Sequence, residues 1–215
     1  MNFKYAIFDL DGTLLDTQHH WEENERLVLS KYFEIDMHYD EEGNFIPFTG
    51  YKDMFQKATK RSGKICDVEK VRKDIYDIMA DVYKNGNITP KPYAVEFLKH
   101  LKELGIKCSL ATATPIFLCK PGLERFGFTK YLDEYVCTDD VGKNKYHPDV
   151  YLHAIKLLGG NVDDAVVFED AVYAVRTLKA NGLRYIGIYD KSNAEFKDEI
   201  TDGCENYIKS YKELL

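Results

Sequence analysis

Two carboxylates stand two residues apart in Phe8-Asp9-Leu10-Asp11-Gly12-Thr13, directly after the apolar run Tyr5 to Phe8. In an extended chain, side chains i and i+2 share a face, so Asp9 and Asp11 can address one site; alternatively Asp11 turns away and offers its backbone carbonyl. Gly12 supplies a tight turn. Three further runs end in groups of complementary chemistry. Ala111-Thr112-Ala113-Thr114 offers the Thr112 hydroxyl and nearby amides to an anionic oxygen. Lys143 and Lys145 precede Pro148, and Glu169-Asp170 closes the run Ala165 to Phe168. Ligands of open parallel sheets bind outside the carboxyl ends of the strands, which is where all four groups fall.

Each group has a plainer explanation when taken singly. Asp-x-Asp-Gly is also an ordinary turn, loop lysines are commonly solvated, and an acidic pair before a helix caps free amides and suits the helix dipole. A calcium loop is excluded because a strand-like run precedes the motif and no closing set of oxygen ligands follows. The recurrence of acids, hydroxyl, lysine and acids at four successive run ends favours one site.

The elements that must position these groups follow from periodicity. Strands are expected at Tyr5 to Phe8, Lys107 to Leu110, Tyr135 to Cys137, Ala165 to Phe168 and Tyr185 to Ile188. Helical spacing lies between them, as in Tyr93, Phe97, Leu98, Leu101 and Leu104, or Val150, Tyr151, Ala154, Ile155 and Leu158. Strands alternating with helices predict an α/β fold with a parallel five-stranded sheet covered on both faces. The alternation fails between Asp16 and Asn87, where Trp21 to Ile35, Lys52 to Arg61 and Val68 to Tyr83 read as helices with no strand between them. An inserted helical domain over 16–87 therefore divides a core of 1–15 and 88–215. Pro121 and Gly122 predict a kink or restart in the helix after Pro115.

The chain has 215 residues, 45% hydrophobic and 30% charged, with a net charge of -7. That balance suits a soluble globular protein and argues against a nucleic-acid binder, which needs clustered Lys and Arg. A small anionic substrate is expected. The five cysteines form no CxxC pair, so neither a disulfide framework nor a zinc site is indicated. The first apolar run is too short for a signal-peptide core and no stretch of about 18 apolar residues occurs, so no membrane association and a cytoplasmic location are expected.

Taken together, Asp9-Leu10-Asp11-Gly12-Thr13, Thr112, Lys145 ahead of Pro148-Asp149, and Glu169-Asp170 followed by Asn181-Gly182-Leu183 resemble the four signatures of the haloacid dehalogenase superfamily. The resemblance is to its phosphatase and β-phosphoglucomutase-like branch, and it spans nearly the whole chain. It implies a Rossmann-like core with a helical cap after the first strand, and a phosphorylated small metabolite as substrate. It also implies transfer through an aspartyl-phosphate on Asp9, with Asp11 as acid and then base. Magnesium would be held by the Asp9 carboxylate, the Asp11 carbonyl and Asp170, with Glu169 a direct or water-mediated ligand. Thr112, the Ala113 amide and Lys145 would hold phosphoryl oxygens.

Three departures from the family pattern stand out. The first proline of Lys-Pro-x-Pro-Asp is absent from Lys145-Tyr146-His147-Pro148-Asp149, which makes Lys143 a rival; spacing to Pro148 favours Lys145. Ala113 stands where Asn or Ser is usual, and Ala171 and Ala174 stand where Ser and Gly are frequent.

The insertion should close over the site, with Tyr51 and Lys52 of the segment 48–54 as substrate contacts. His19 and His20 read as surface residues. Trp21 stands where mutases often carry His, and Gly50-Tyr51-Lys52 lacks their Ser-Arg pair, so hydrolysis is expected over phosphomutase activity. Oligomeric state is not legible.

Overall fold

The structure, a computed structural model, describes residues 2–36 and 51–215. Along the chain, strand β1 (Tyr5–Phe8) is followed by helices α1 (Gln18–Phe33), α2 (Tyr51–Ser62), α3 (Val68–Asn85) and α4 (Ala94–Glu103). Then come β2 (Lys107–Thr112), α5 (Ile116–Arg125), β3 (Glu134–Cys137), α6 (Thr138–Val141), α7 (Asp149–Leu157), β4 (Ala165–Glu169), α8 (Val172–Ala180), β5 (Tyr185–Ile188), α9 (Lys197–Thr201) and β6 (Asn206–Ile208). The chain divides into two compact units, Met1–Gln18 with Asn87–Leu215, and His19–Gly86.

In the first unit, six strands form one parallel sheet in the order β3-β2-β1-β4-β5-β6 among the described residues. β1 is central because Ala6, Ile7 and Phe8 are apolar on both faces and fully buried, as a parallel strand covered by helices requires. The pairing Phe8↔Phe168 sets two rings side by side, stacked at 4.4 Å, and Phe97 and Tyr211 complete that layer. One residue back, Ile7↔Val167 faces the opposite layer of Tyr151, Val175 and Leu178. The period-two alternation of β1 thus serves two separate cores.

The sheet has one strand more than periodicity predicts. β6 is three residues long with Asn206 exposed, so it carries almost no apolar signal; its backbone pairs with β5 at the sheet edge. β2 and β4 run further than expected, which brings Thr112 and Glu169 into the last positions of their strands. Of the kink or restart expected at Pro121, the restart does not occur: α5 continues through it. The proline forfeits one backbone hydrogen bond, while Leu118, Cys119, Gly122 and Leu123 remain buried along one face of the helix. Burial of that face outweighs one lost bond.

The second unit contains α1, α2 and α3. Val71, Ile75, Met79 and Tyr83 recur every fourth residue and are buried, giving α3 a single apolar stripe. Val28, Leu29 and Phe33 of α1 and Met54, Phe55 and Ala58 of α2 are the other buried faces. Asp67 caps α3 by accepting from the amides of Glu69 and Lys70. Aromatic side chains supply further polar ties: Trp21 Nε1 donates to the Tyr83 hydroxyl at 3.0 Å and Tyr32 donates to Asp74 at 2.6 Å. No described helix is long and apolar enough to cross a membrane.

Candidate active site

The polar ends of β1, β2 and β4, with the loop after α6, converge at the carboxyl edge of the sheet. Asp9 follows β1 and keeps strand-like pairing, its amide donating to the Phe168 carbonyl at 3.0 Å. The chain then turns sharply: Gly12 adopts φ 86°, and a Cβ there would lie 2.4 Å from Asp170 Oδ2. Only glycine meets both conditions, the left-handed backbone and the close approach of Asp170. Thr13, just past the turn, donates to Asp170 Oδ1 at 2.9 Å, and the Thr13 carbonyl accepts from the Tyr211 hydroxyl at 3.1 Å.

Lys145 is buried between two acids, donating to Asp9 Oδ1 and, at 2.5 Å, to Glu169 Oε1. Lys143 lies instead at the surface, paired with Asp149 at 2.8 Å. Tyr151 of α7 donates to Glu169 Oε1 at 2.6 Å, and the amides of Asp170 and Ala171 lie 3.1 and 3.3 Å from Oε2. Both Glu169 oxygens are therefore engaged.

Asp11 is buried between two threonines. Its oxygens accept from Thr17 at 2.5 Å and from Thr114 at 2.7 Å. A threonine hydroxyl can donate or accept, so this cradle suits a carboxylate and a carboxylic acid alike. Thr112 is buried and its hydroxyl accepts from the Thr114 amide at 3.0 Å, which fixes the turn that carries Thr114. Ala113 is exposed at that turn, and its carbonyl accepts from Thr138 at 3.3 Å.

Carboxylate oxygens of Asp9, Glu169 and Asp170 lie within 4.8 Å of one another. Burial pushes Asp9 and Glu169 above the usual carboxylate range, opposed by the adjacent Lys145. Asp170 is pushed well above that range by burial and by the charges of Asp9 and Glu169. Burial works to neutralise Lys145, but the carboxylates of Asp9 and Glu169 outweigh it and keep the ammonium charged. Three buried acids against one cation leave negative charge uncompensated, and the donors are all oxygen. Such a set fits a hard divalent cation of the magnesium type, which would reverse the upward shifts by favouring the ionised acids.

The remaining expected contacts lie in the helical unit. The Tyr51 hydroxyl donates to Glu25 at 2.7 Å and its ring stacks on Phe55. Lys52 is exposed, and both residues line a groove of about 580 Å³ between α2 and α3. Residues 48–50 of the expected substrate loop lie outside the described residues. Trp21 bonds Tyr83 and meets Tyr76 edge-on. His19 is exposed, and the two histidine rings lie 4.2 Å apart.

Sequence reasoning missed Thr17, Thr114, Tyr151, Asn193 and Tyr211 as parts of this site. Thr17 and Thr114 sit within or beside quoted motifs and were within reach; Asn193, which donates to Asp170 Oδ2 at 3.1 Å, and Tyr211 arrive from distant segments with no local signal.

A buried acid at the tip of a central parallel strand, with a second acid, a lysine and an acidic pair around it, is the arrangement expected of a haloacid dehalogenase-like hydrolase. The sequence model of that family, described as haloacid dehalogenase-like hydrolase, matches residues 3–182, and the chain belongs to it. Among its relatives, the phosphorylated carbohydrates phosphatase of Thermotoga maritima is 29% identical over 184 residues, covering 84% of this chain and 82% of that protein. The validoxylamine A 7'-phosphate phosphatase of Streptomyces hygroscopicus is 25% identical over 203 residues, covering 90% and 89%. The fold is shared with CbbY from Rhodobacter sphaeroides, solved in complex with phosphate, at a TM-score of 0.80 and 21% identity over 99% of this chain and 96% of that one.

Proposed function

We propose that this hydrolase is a magnesium-dependent phosphatase of small phosphorylated metabolites, working through an aspartyl-phosphate on Asp9. The observation that carries the reading is the separation of two neighbouring acids by environment: Asp9 sits against Lys145, whereas Asp11 sits between two threonine hydroxyls. Two carboxylates with different surroundings can take different roles.

An Asp9 oxygen attacks phosphorus in line while the bond from phosphorus to the substrate oxygen breaks, and Asp11 in its acid form gives the leaving oxygen its proton. Asp11, now a carboxylate, then takes a proton from water as that water attacks the phosphorus of the acyl phosphate. The phosphorus–oxygen bond to Asp9 breaks, inorganic phosphate leaves, and both acids return to their starting states. Lys145 holds Asp9 in place and stabilises the charge on the transferring group. Thr112 and the Ala113 amide serve its remaining oxygens.

Asp9, Asp170 and the Asp11 carbonyl would hold the magnesium ion, which supplies charge neutralisation so that an anionic acid can approach an anionic ester. Glu169, whose oxygens already accept four hydrogen bonds, serves Lys145 and would reach the ion through water. The names of the relatives support phosphate esters of carbohydrate type as the substrates to try first.

The test is a panel of phosphorylated metabolites, with and without magnesium, followed by phosphorus NMR. Release of inorganic phosphate that chelation stops and magnesium restores is the expected result. Turnover in metal-free buffer would contradict the metal assignment. Conversion of β-glucose 1-phosphate, primed with its bisphosphate, to glucose 6-phosphate with little free phosphate would make the protein a phosphomutase instead.

A further inference from the structure

Beyond the catalytic groups, a second buried charge pair lies in the core unit. Lys91 Nζ donates to Asp190 Oδ2 at 2.8 Å, and both residues are almost inaccessible. Such a pair loses much of its attraction to desolvation, so apolar residues of the same volume would hold a fold as well or better. A geometric role is the more economical explanation, and the neighbours of Asp190 supply one.

Asp190 begins the 3₁₀ turn Lys191–Phe196, in which no residue is buried. Phe196 packs against the core at the far end of the turn, and the end that carries Asn193 is held by polar bonds: Asp190 Oδ1 accepts from the Ser192 amide at 2.9 Å, and the Asp190 carbonyl accepts from the Asn193 amide at 3.3 Å. Asn193 then directs its side-chain amide to Asp170 Oδ2, while Thr13 holds Oδ1. The plane of the Asp170 carboxylate is thus set from both sides. Lys91 belongs to the segment returning from the helical unit, and its own amide donates to the Leu14 carbonyl at 2.9 Å. The ammonium is therefore delivered to Asp190 from a fixed backbone position.

We propose that the Lys91–Asp190 pair is a positioning device for Asp170: it locks the turn that aims Asn193 at the Asp170 carboxylate, and so raises the affinity of the site for its divalent cation. The inference rests on the reading of Asp170 as a metal ligand. Partners that orient a ligating group commonly contribute ten- to a hundredfold in metal affinity, and a ligand already fixed in plane loses less freedom when the ion arrives.

The experiment is calorimetric titration of magnesium into the purified protein, independent of turnover. Asn193→Ala should weaken binding about tenfold. Asp190→Asn, which keeps an oxygen for Ser192 but loses the charge, and the double change Lys91→Met with Asp190→Leu, which leaves no orphaned charge, should weaken it similarly while melting as cooperative folds. Because the pair acts through Asn193, adding Asn193→Ala to either variant should weaken binding no further. Wild-type affinity in the pair variants, or losses that multiply with Asn193→Ala, would overturn the proposal. Asp170→Asn separates the two readings. If it binds magnesium like the wild type, the metal assignment itself falls and takes the proposal with it; if it loses binding while the pair variants keep theirs, only the positioning role fails.

Discussion

The two units bury different things. Among the described residues, every buried Asp, Glu, Lys, Ser and Thr side chain lies in the α/β unit, most of them at the carboxyl edge of the sheet: Asp9, Asp11, Thr13, Thr112, Lys145, Glu169 and Asp170. The helical unit buries Val, Leu, Ile, Met, Phe and Tyr, and its ion pairs, such as Lys73–Asp77 within α3 and Lys64–Glu34 between distant segments, are solvated. A solvated pair contributes under about 1 kcal/mol, whereas a buried charge without its partner costs several. The α/β unit therefore holds costly groups in a geometry chemistry requires, and the helical unit is held together by interchangeable apolar contacts. Substitutions should act on activity in the first and chiefly on stability in the second.

The contrast is sharpest at Asp9. Asp9→Asn should lower turnover of a generic phosphate ester at least about ten-thousandfold, since no nucleophile of comparable placement remains. Melting should be unchanged or slightly higher, because one of three crowded acids becomes neutral. A verified variant with near-wild-type turnover would remove Asp9 from the mechanism.

Lys145→Met should cost both activity and stability. Turnover should fall about a hundred- to a thousandfold, and unfolding free energy by about 3 kcal/mol at pH 8, because the acids lose their cation. Asp9 and Glu169 bind protons more tightly folded than unfolded, so the folded state takes up protons as pH falls and the deficit shrinks toward pH 5. Denaturant titrations at the two pH values measure this; an equal deficit at both would break the electrostatic account.

Two glycines separate strain from chemistry. Gly12 and Gly63 both have positive φ, at 86° and 70°, but a Cβ at Gly12 would strike Asp170 while one at Gly63 meets nothing within 4 Å. Alanine at either should cost about 1–2 kcal/mol of stability. Only Gly12→Ala should also lower turnover, by about a hundredfold or more, through displacement of Asp170. Equal activity of the two variants would show that the contact is unimportant.

The smallest effect is expected in the helical unit at Glu25. Desolvation of this half-buried carboxyl pushes it up to about 7, opposed by the hydrogen bond from Tyr51, with the Glu22 charge adding to the rise. Its folded value lies above the unfolded one, so the stability it contributes is fully present below about pH 4.5 and declines as pH rises toward 7. Glu25→Gln should therefore leave melting at pH 5 nearly unchanged and raise stability at pH 8 by about 1 kcal/mol, partial solvent access reducing the full effect of the shift. Destabilisation at pH 8 would mean that the ionised carboxylate is what Tyr51 needs.

Legibility in the sequence followed the range of the interactions. β1 and β5 were readable to the residue because a buried parallel strand is a continuous apolar run, and α3 was readable from its start to within two residues of its end because its stripe repeats every fourth residue. β6 was not, since three residues are too few to show a period, although Ile208 is buried and Tyr207 packs against the core. That α5 does not restart at Pro121 was not legible either, because the proline's effect is local, whereas the burial of the α5 face around it depends on the packed core.

The site divides in the same way. Asp9, Asp11, Glu169 and Asp170 announce themselves because acids at the end of apolar runs are locally conspicuous, and periodicity alone places those ends on one edge of a sheet. The sequence also ranked Lys145 over Lys143 by spacing, but which ammonium enters the pocket is decided by the path of the loop before α7, which buries one and pairs the other with Asp149 at the surface. Nothing local ties Asn193 to Asp170 or Tyr211 to Thr13, 23 and 198 residues away. Short-range patterns determine which residues form strands and which strand ends carry charge. The hydrogen bonds that set each carboxylate's orientation join segments brought together by collapse of the whole core, and so they belong to the tertiary structure alone.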